Sequence, residues 1–86
     1  MNKLEEELAA MIVGELNLED VPLDTVNADT PLYGEGLGLD SIDILEIALL
    51  ISKKYGFELR SDNPDNEKIF ATLGALAAYV EAHRVR

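Results

Sequence analysis

A chain of 86 residues with 17 acidic and 7 basic side chains, a net charge of −10 and no cysteine excludes much at the outset. A domain of this size buries only about 60–65% of the surface its unfolded form exposes, and without thiols no disulfide or thiolate metal site reinforces the core, so packed helices must supply the stability. The charge disfavours nucleic acid and anionic membranes as partners and favours basic protein surfaces.

The stretch NKLEEELAAMIVGEL predicts a first helix. Asn2 is its cap, with Glu5 three residues on as capping-box partner and first-turn acids that suit the helix dipole. Leu4, Leu8, Met11 or Ile12, and Leu16 recur at helical spacing and make one apolar stripe. From Asn17 to Asp40 periodicity gives way to turn formers (Pro22, Asn27, Pro31, Gly34, Gly36, Gly38), with Val26, Leu32, Leu37 and Leu39 as candidate anchors into the core. A connection of about two dozen residues is long for so small a domain, and such loops are usually functional. A second helix is expected from Ser41 to about Tyr55, ended by Gly56 and carrying Lys53 and Lys54 in its last turn. Asn63 as cap and Pro64 as first helical residue predict a short third helix. Thr72 caps a last one, whose Leu73, Leu76, Ala77 and Val80 face inward. No alternating strand pattern or repeat is present. The expected fold is all-α: a small bundle of three long helices and one short one, with a long loop between the first and second.

The second helix has two apolar faces. Ile44, Ile47, Ala48, Ile51 and Tyr55 share one side at about 100° per residue, enough to pack against the other helices. Ile42, Leu45 and Leu49 form a second stripe on another side, bordered by Glu46. Either the bundle wraps this helix so fully that both stripes are core, or the second is an exposed docking patch rimmed by Asp40, Asp43 and Glu46.

Ser41 stands where the glycine-rich loop meets this helix. A serine nucleophile needs a nearby base and an oxyanion hole, but His83, the sole histidine, lies near the far end of the last helix, and G-x-S-x-G is absent. Gly34, Gly36 and Gly38 lack the remaining elements of a dinucleotide or P-loop motif, and no loop matches a calcium pattern. Catalysis, nucleotide binding and a metal site all fail. Asp40 is the better cap, with Asp43 three residues on, which makes Ser41 the first helical residue with an outward hydroxyl at a phosphate-favouring helix start. The residue types point to covalent attachment of a phosphate-linked group.

GLGLDSIDILEIALLISKKYGFEL closely resembles the phosphopantetheine attachment region of acyl carrier proteins, whose motif is D-S-[LI]-[DE] at the start of the second helix. The likeness extends to DTPL ahead of the glycines and to the KIFATLGALAAYV close. The resemblance implies a carrier rather than an enzyme, one carrier domain over residues 1–86 with the family's four-helix bundle; with Met1 opening directly on the first helix and no linker-like tail after Arg86, a free-standing protein is expected. It implies that a phosphopantetheinyl transferase places 4′-phosphopantetheine from coenzyme A on Ser41. Acyl groups would ride on the arm as thioesters, in fatty-acid-like or specialised lipid or polyketide biosynthesis. By the same resemblance Asp40, Ile42, Asp43, Leu45, Glu46 and Leu49 form the face read by acyl-loading, condensing and acyl-transferring enzymes with basic docking patches. Peptidyl or D-alanyl carriers, and an unmodified interaction module of the same fold, are the alternative readings. A cytoplasmic monomer is expected: three glutamates precede the first apolar run, unlike a secretory signal, and no apolar run approaches a membrane span of about 20 residues.

Three features depart from housekeeping fatty-acid carriers: residues 52–54, the extended LYGEGLGLDS loop and the longer RSDNPDNEKIF segment. Ser52, Lys53 and Lys54 stand where acids usually continue the helix, and Lys53 projects near the Ile42–Leu49 stripe. This suggests either a carrier with its own partners or ordinary surface drift. The small residues Ala71, Gly74, Ala75, Ala77 and Ala78 of the last segment suggest either an expandable gap for an acyl chain beside the second helix or close packing, with close packing favoured.

Overall fold

The computed structural model describes residues 2–18, 25–33, 37–60 and 62–85, and those residues are all-α. Four helices follow in order: α1 (Lys3–Glu15), α2 (Ser41–Tyr55), α3 (Asn66–Ile69) and α4 (Leu73–His83). Among the described residues strand-like pairing is limited to two isolated bridges, Pro31 with Thr72 and Tyr33 with Leu39. Among the described residues no helix is long and apolar enough to cross a membrane.

The long helices begin as their caps dictate. In α1, Asn2 Oδ1 accepts from the Glu5 N–H at 2.8 Å while Glu5 Oε1 accepts from the Asn2 N–H at 2.8 Å, closing the capping box. Leu8, Ala9 and Ile12 are buried, and Leu4, Met11 and Leu16 pack partly buried against the core. Ile12 therefore takes the core position that spacing left between it and Met11. Helix α2 buries Ile44, Ile47, Ala48, Ile51 and Tyr55, the first of its two expected faces, and ends at Gly56, whose φ of 74° is a left-handed conformation that glycine adopts without steric cost. In α4, Thr72 Oγ1 accepts from the Ala75 N–H at 3.0 Å, and Leu73, Leu76, Ala77 and Val80 are buried.

The start of α3 corrects the expectation built on Asn63 and Pro64. Asn63 Oδ1 accepts from the Asp65 N–H at 2.8 Å and its carbonyl from the Asn66 N–H at 3.1 Å, so the pair forms a turn ahead of the helix. The helical residues begin only at Asn66, with Asp65 at the cap position and no side-chain cap bond. Asn66 is itself buried and donates from Nδ2 to the Arg60 carbonyl at 2.9 Å, tying the preceding segment to the helix.

The long α1–α2 connection is anchored as expected where it is described: Val26, Leu32, Leu37 and Leu39 are all buried. Pro22, Gly34 and Gly36, named above as turn formers, lie outside the described residues. The connection also supplies carbonyls to the start of α4. Thr30 O accepts from Leu73 N–H at 3.0 Å and Ala28 O from Gly74 N–H at 2.8 Å, filling two donors that no carbonyl within the helix can reach. A Cβ at Gly74 would lie 2.9 Å from Ala28 O, so here the small residue serves close packing against the loop.

Candidate functional site

The two aspartates at the start of α2 satisfy each other's backbone. Asp40 Oδ1 accepts from Asp43 N–H at 3.0 Å, and Asp43 Oδ2 accepts from Asp40 N–H at 3.2 Å. Both halves of the capping box are thus in place, with Ser41 as the first residue of the helix and exposed. The N–H groups of Ser41 and Ile42 have no carbonyl within reach inside the helix, and together with the positive end of its dipole they favour a phosphate ester on the neighbouring hydroxyl.

The loop ahead of the serine is held on both sides. Leu37 N–H donates to Pro31 O at 3.0 Å and Leu39 N–H to Leu32 O at 3.0 Å, with Leu37 and Leu39 buried. Gly38, between them, has φ of 69°, a conformation costly for any residue with a Cβ. These anchors turn the chain so that Asp40 and Ser41 emerge at the surface as the helix starts.

The second apolar stripe is solvent-facing. Ile42 is 73%, Leu45 45% and Leu49 56% exposed, which rules out the reading of this face as core. Asp40 and Glu46 are exposed and Asp43 half-buried, so every residue expected at the site lies on or at the head of α2 within one continuous surface. His83 is elsewhere, in the last turn of α4, with Nδ1 2.8 Å from Tyr79 O and its ring stacked on Tyr79 at 4.1 Å between centroids.

Sequence reasoning missed what lies beside the stripe. An open groove of about 440 Å³ runs between Leu45, Ala48, Leu49 and Ser52 of α2 and the segment carrying Leu59 and Arg60. Ser52 builds it: its Oγ lies 2.8 Å from Ala48 O, to which it donates, and accepts from Leu59 N–H at 3.0 Å. On the far rim the Arg60 guanidinium reaches Asp62 at 2.8 Å and Glu58 at 3.4 Å. The hydrogen bond from Arg60 holds the Asp62 carboxyl below its ordinary value. A mid-helix serine commonly bonds to the carbonyl one turn back. Its bond to Leu59, across a turn without periodicity, leaves no signal in the sequence.

Residues 6–80 match the protein family described as phosphopantetheine attachment site. The chain belongs to the acyl carrier protein family. It is similar to the acyl carrier protein of Chlamydia trachomatis serovar L2, 29% identical over 83 residues that cover 94% of this chain and 96% of that one. Membership makes the acyl carrier protein fold seen here that of a carrier and not a catalyst, with 4′-phosphopantetheine as its prosthetic group. The chemistry at α2 is compatible with that group: an exposed hydroxyl, left out of the cap by the Asp40–Asp43 pair, beside unpaired N–H donors.

Proposed function

We propose that Ser41 Oγ is the attachment point for 4′-phosphopantetheine, and that residues 1–86 act as one carrier domain presenting acyl thioesters to partner enzymes of fatty-acid-like or specialised lipid or polyketide synthesis. The observation that carries this reading is an exposed first-turn serine at the head of an exposed apolar stripe. The bound group supplies the thiol that this cysteine-free chain lacks.

The chain's own residues do the rest. Asp40 and Asp43 hold the helix start in register, and the buried Leu37 and Leu39 keep the loop close to the core so that a phosphopantetheinyl transferase can reach the hydroxyl. Ile42, Leu45 and Leu49 give contact area next to the attachment point, while Asp40, Asp43 and Glu46 steer and orient enzymes with basic patches. The carrier works as a cytoplasmic monomer, its charge of −10 opposing self-association.

Mass spectrometry after incubation with coenzyme A and a promiscuous phosphopantetheinyl transferase tests the assignment. The wild-type chain should gain the mass of one phosphopantetheine, and Ser41→Ala should gain nothing while keeping its helical circular dichroism. A wild-type protein that stays unmodified, or a gain that survives Ser41→Ala, would sink the proposal.

A further inference from the structure

The exposed stripe of α2 does not end in apolar residues. Lys53 follows Leu49 by four residues and Glu46 by seven, so at about 100° per residue it falls within about 20° of Glu46 around the helix axis, and about 10 Å further along it. It is exposed. The neighbouring Lys54 lies about 100° further round the helix, and its Nζ is 3.1 Å from Glu7 Oε1 in an ion pair that joins α2 to α1. Both lysines suit the carboxy-terminal end of the helix dipole, but that role is met at either position and does not require one of them on the stripe. From Ser41 outward, acids alternate with the apolar residues as far as Glu46, Leu49 follows, and the charge turns basic at Lys53.

We infer that α2 presents a docking face of two signs, whose protein partner carries basic groups against Asp40 and Glu46 and a carboxylate against Lys53. This rests on the reading of α2 as the face on which partner enzymes dock. A uniformly basic patch laid along the stripe meets repulsion at the end remote from Ser41, where like charges in apposition select against the wrong partner. Placing a carboxylate there removes the repulsion and sets the partner's direction along the helix. An anionic membrane is opposed by the acids at the other end. A second copy laid antiparallel would match Lys53 to acids, but it would cover Ser41 in both chains and bring together two net charges of −10.

The probe is a fatty-acid condensing enzyme whose carrier-docking patch is basic throughout, assayed with the acyl-loaded holo-protein as wild type, Lys53→Glu, Lys53→Gln and Glu46→Lys. Lys53→Glu should raise kcat/KM about fivefold at low salt and Lys53→Gln about twofold, with both gains shrinking as salt screens the contact. Reversing basic patch residues of the enzyme to Glu one at a time should uncover one position at which wild type outperforms Lys53→Glu. If the Lys53 variants match wild type with every enzyme while Glu46→Lys impairs turnover, the two-sign inference is overturned and the docking face stands. If Glu46→Lys also changes nothing, the docking reading of α2 falls and this inference with it. Sedimentation is measured on the same samples, and a wild-type dimer dissolved by Lys53→Glu would make a second copy the occupant and overturn the proposal.

Discussion

Two glycines of the helices illustrate how the same residue serves opposite ends. Gly14 lies near the end of α1 with nothing within 4 Å of where a Cβ would stand. Gly74, in the first turn of α4, has Ala28 O at 2.9 Å and Ala28 Cβ at 3.2 Å from that point. Replacing Gly14 by Ala should therefore stabilise the fold by about 0.5–1 kcal/mol, through helix propensity and a more restricted unfolded chain. Gly74→Ala gains the same propensity but forces apart a backbone carbonyl that accepts the Gly74 N–H at 2.8 Å. Overpacking of this kind costs about 1–3 kcal/mol and outweighs the gain. Urea denaturation of the two variants should give midpoint shifts of opposite sign. Two stabilised proteins would mean that the loop yields to the added methyl group.

At the scale of the element, α2 carries the division between core and exposed apolar stripe. Ile47 is fully buried and Leu45, two residues before it, is 45% exposed. Ile47→Ala should cost about 2–5 kcal/mol, whereas Leu45→Ala, losing only part of a leucine's burial, should cost less than about 1.5 kcal/mol. Far-ultraviolet circular dichroism should show Leu45→Ala still helical, and its loading or partner turnover should be weakened. An unfolded Leu45→Ala protein would place the second stripe in the core.

Much of this helix was legible in advance because each signal was local. Asp40 and Asp43 at capping-box spacing, Gly56 after the last periodic residue, and a five-residue inward face all read correctly from spacing alone. Four apolar residues likewise marked where the irregular connection enters the core. The start of α3 was misread since Asn63-Pro64 suits a turn as well as a helix start, and the tie from Asn66 to Arg60, six residues back, favoured the turn. The Ser52–Leu59 bond and the loop carbonyls that cap α4 join segments without shared periodicity, and the chain carries no pattern that announces them. At the site itself, local spacing marked Ser41 and the stripe, while the groove beside them depends on those non-local bonds.

The whole molecule is tied together at the end remote from the α4 N-terminus by a cluster centred on Tyr55. Its ring is buried, its hydroxyl donates to Glu7 Oε2 of α1 at 3.1 Å, and the guanidinium of Arg84, just past α4, lies 4.9 Å from its ring centre. The Tyr55 carbonyl accepts from Val85 N–H at 3.0 Å, so α1 and the residues past α4 converge on one residue of α2. The hydrogen bond from Lys54, aided by that from Tyr55, holds the Glu7 carboxyl below its ordinary value of 4.5. Stability drawn from Glu7 is therefore complete above that value and is lost as pH falls through the depressed one, though a half-exposed pair is screened and contributes little. The tyrosine sets the opposite limb. Burial, and then the bond to the Glu7 carboxylate, push its hydroxyl from 10 up to about 12. Between those values the unfolded chain has released the proton and the folded chain retains it, so stability is full below pH 10 and falls until about pH 12. The loss is at most about 1.4 kcal/mol per pH unit for one proton. Tyr55→Phe keeps the ring's packing but removes the titrating group, so its stability should decline less steeply than that of the wild type across this window. Urea midpoints measured from pH 8.5 to 12 for both proteins isolate the effect, since their other titrating groups are shared, and parallel curves would show that the hydroxyl titrates alike in the folded and unfolded chain.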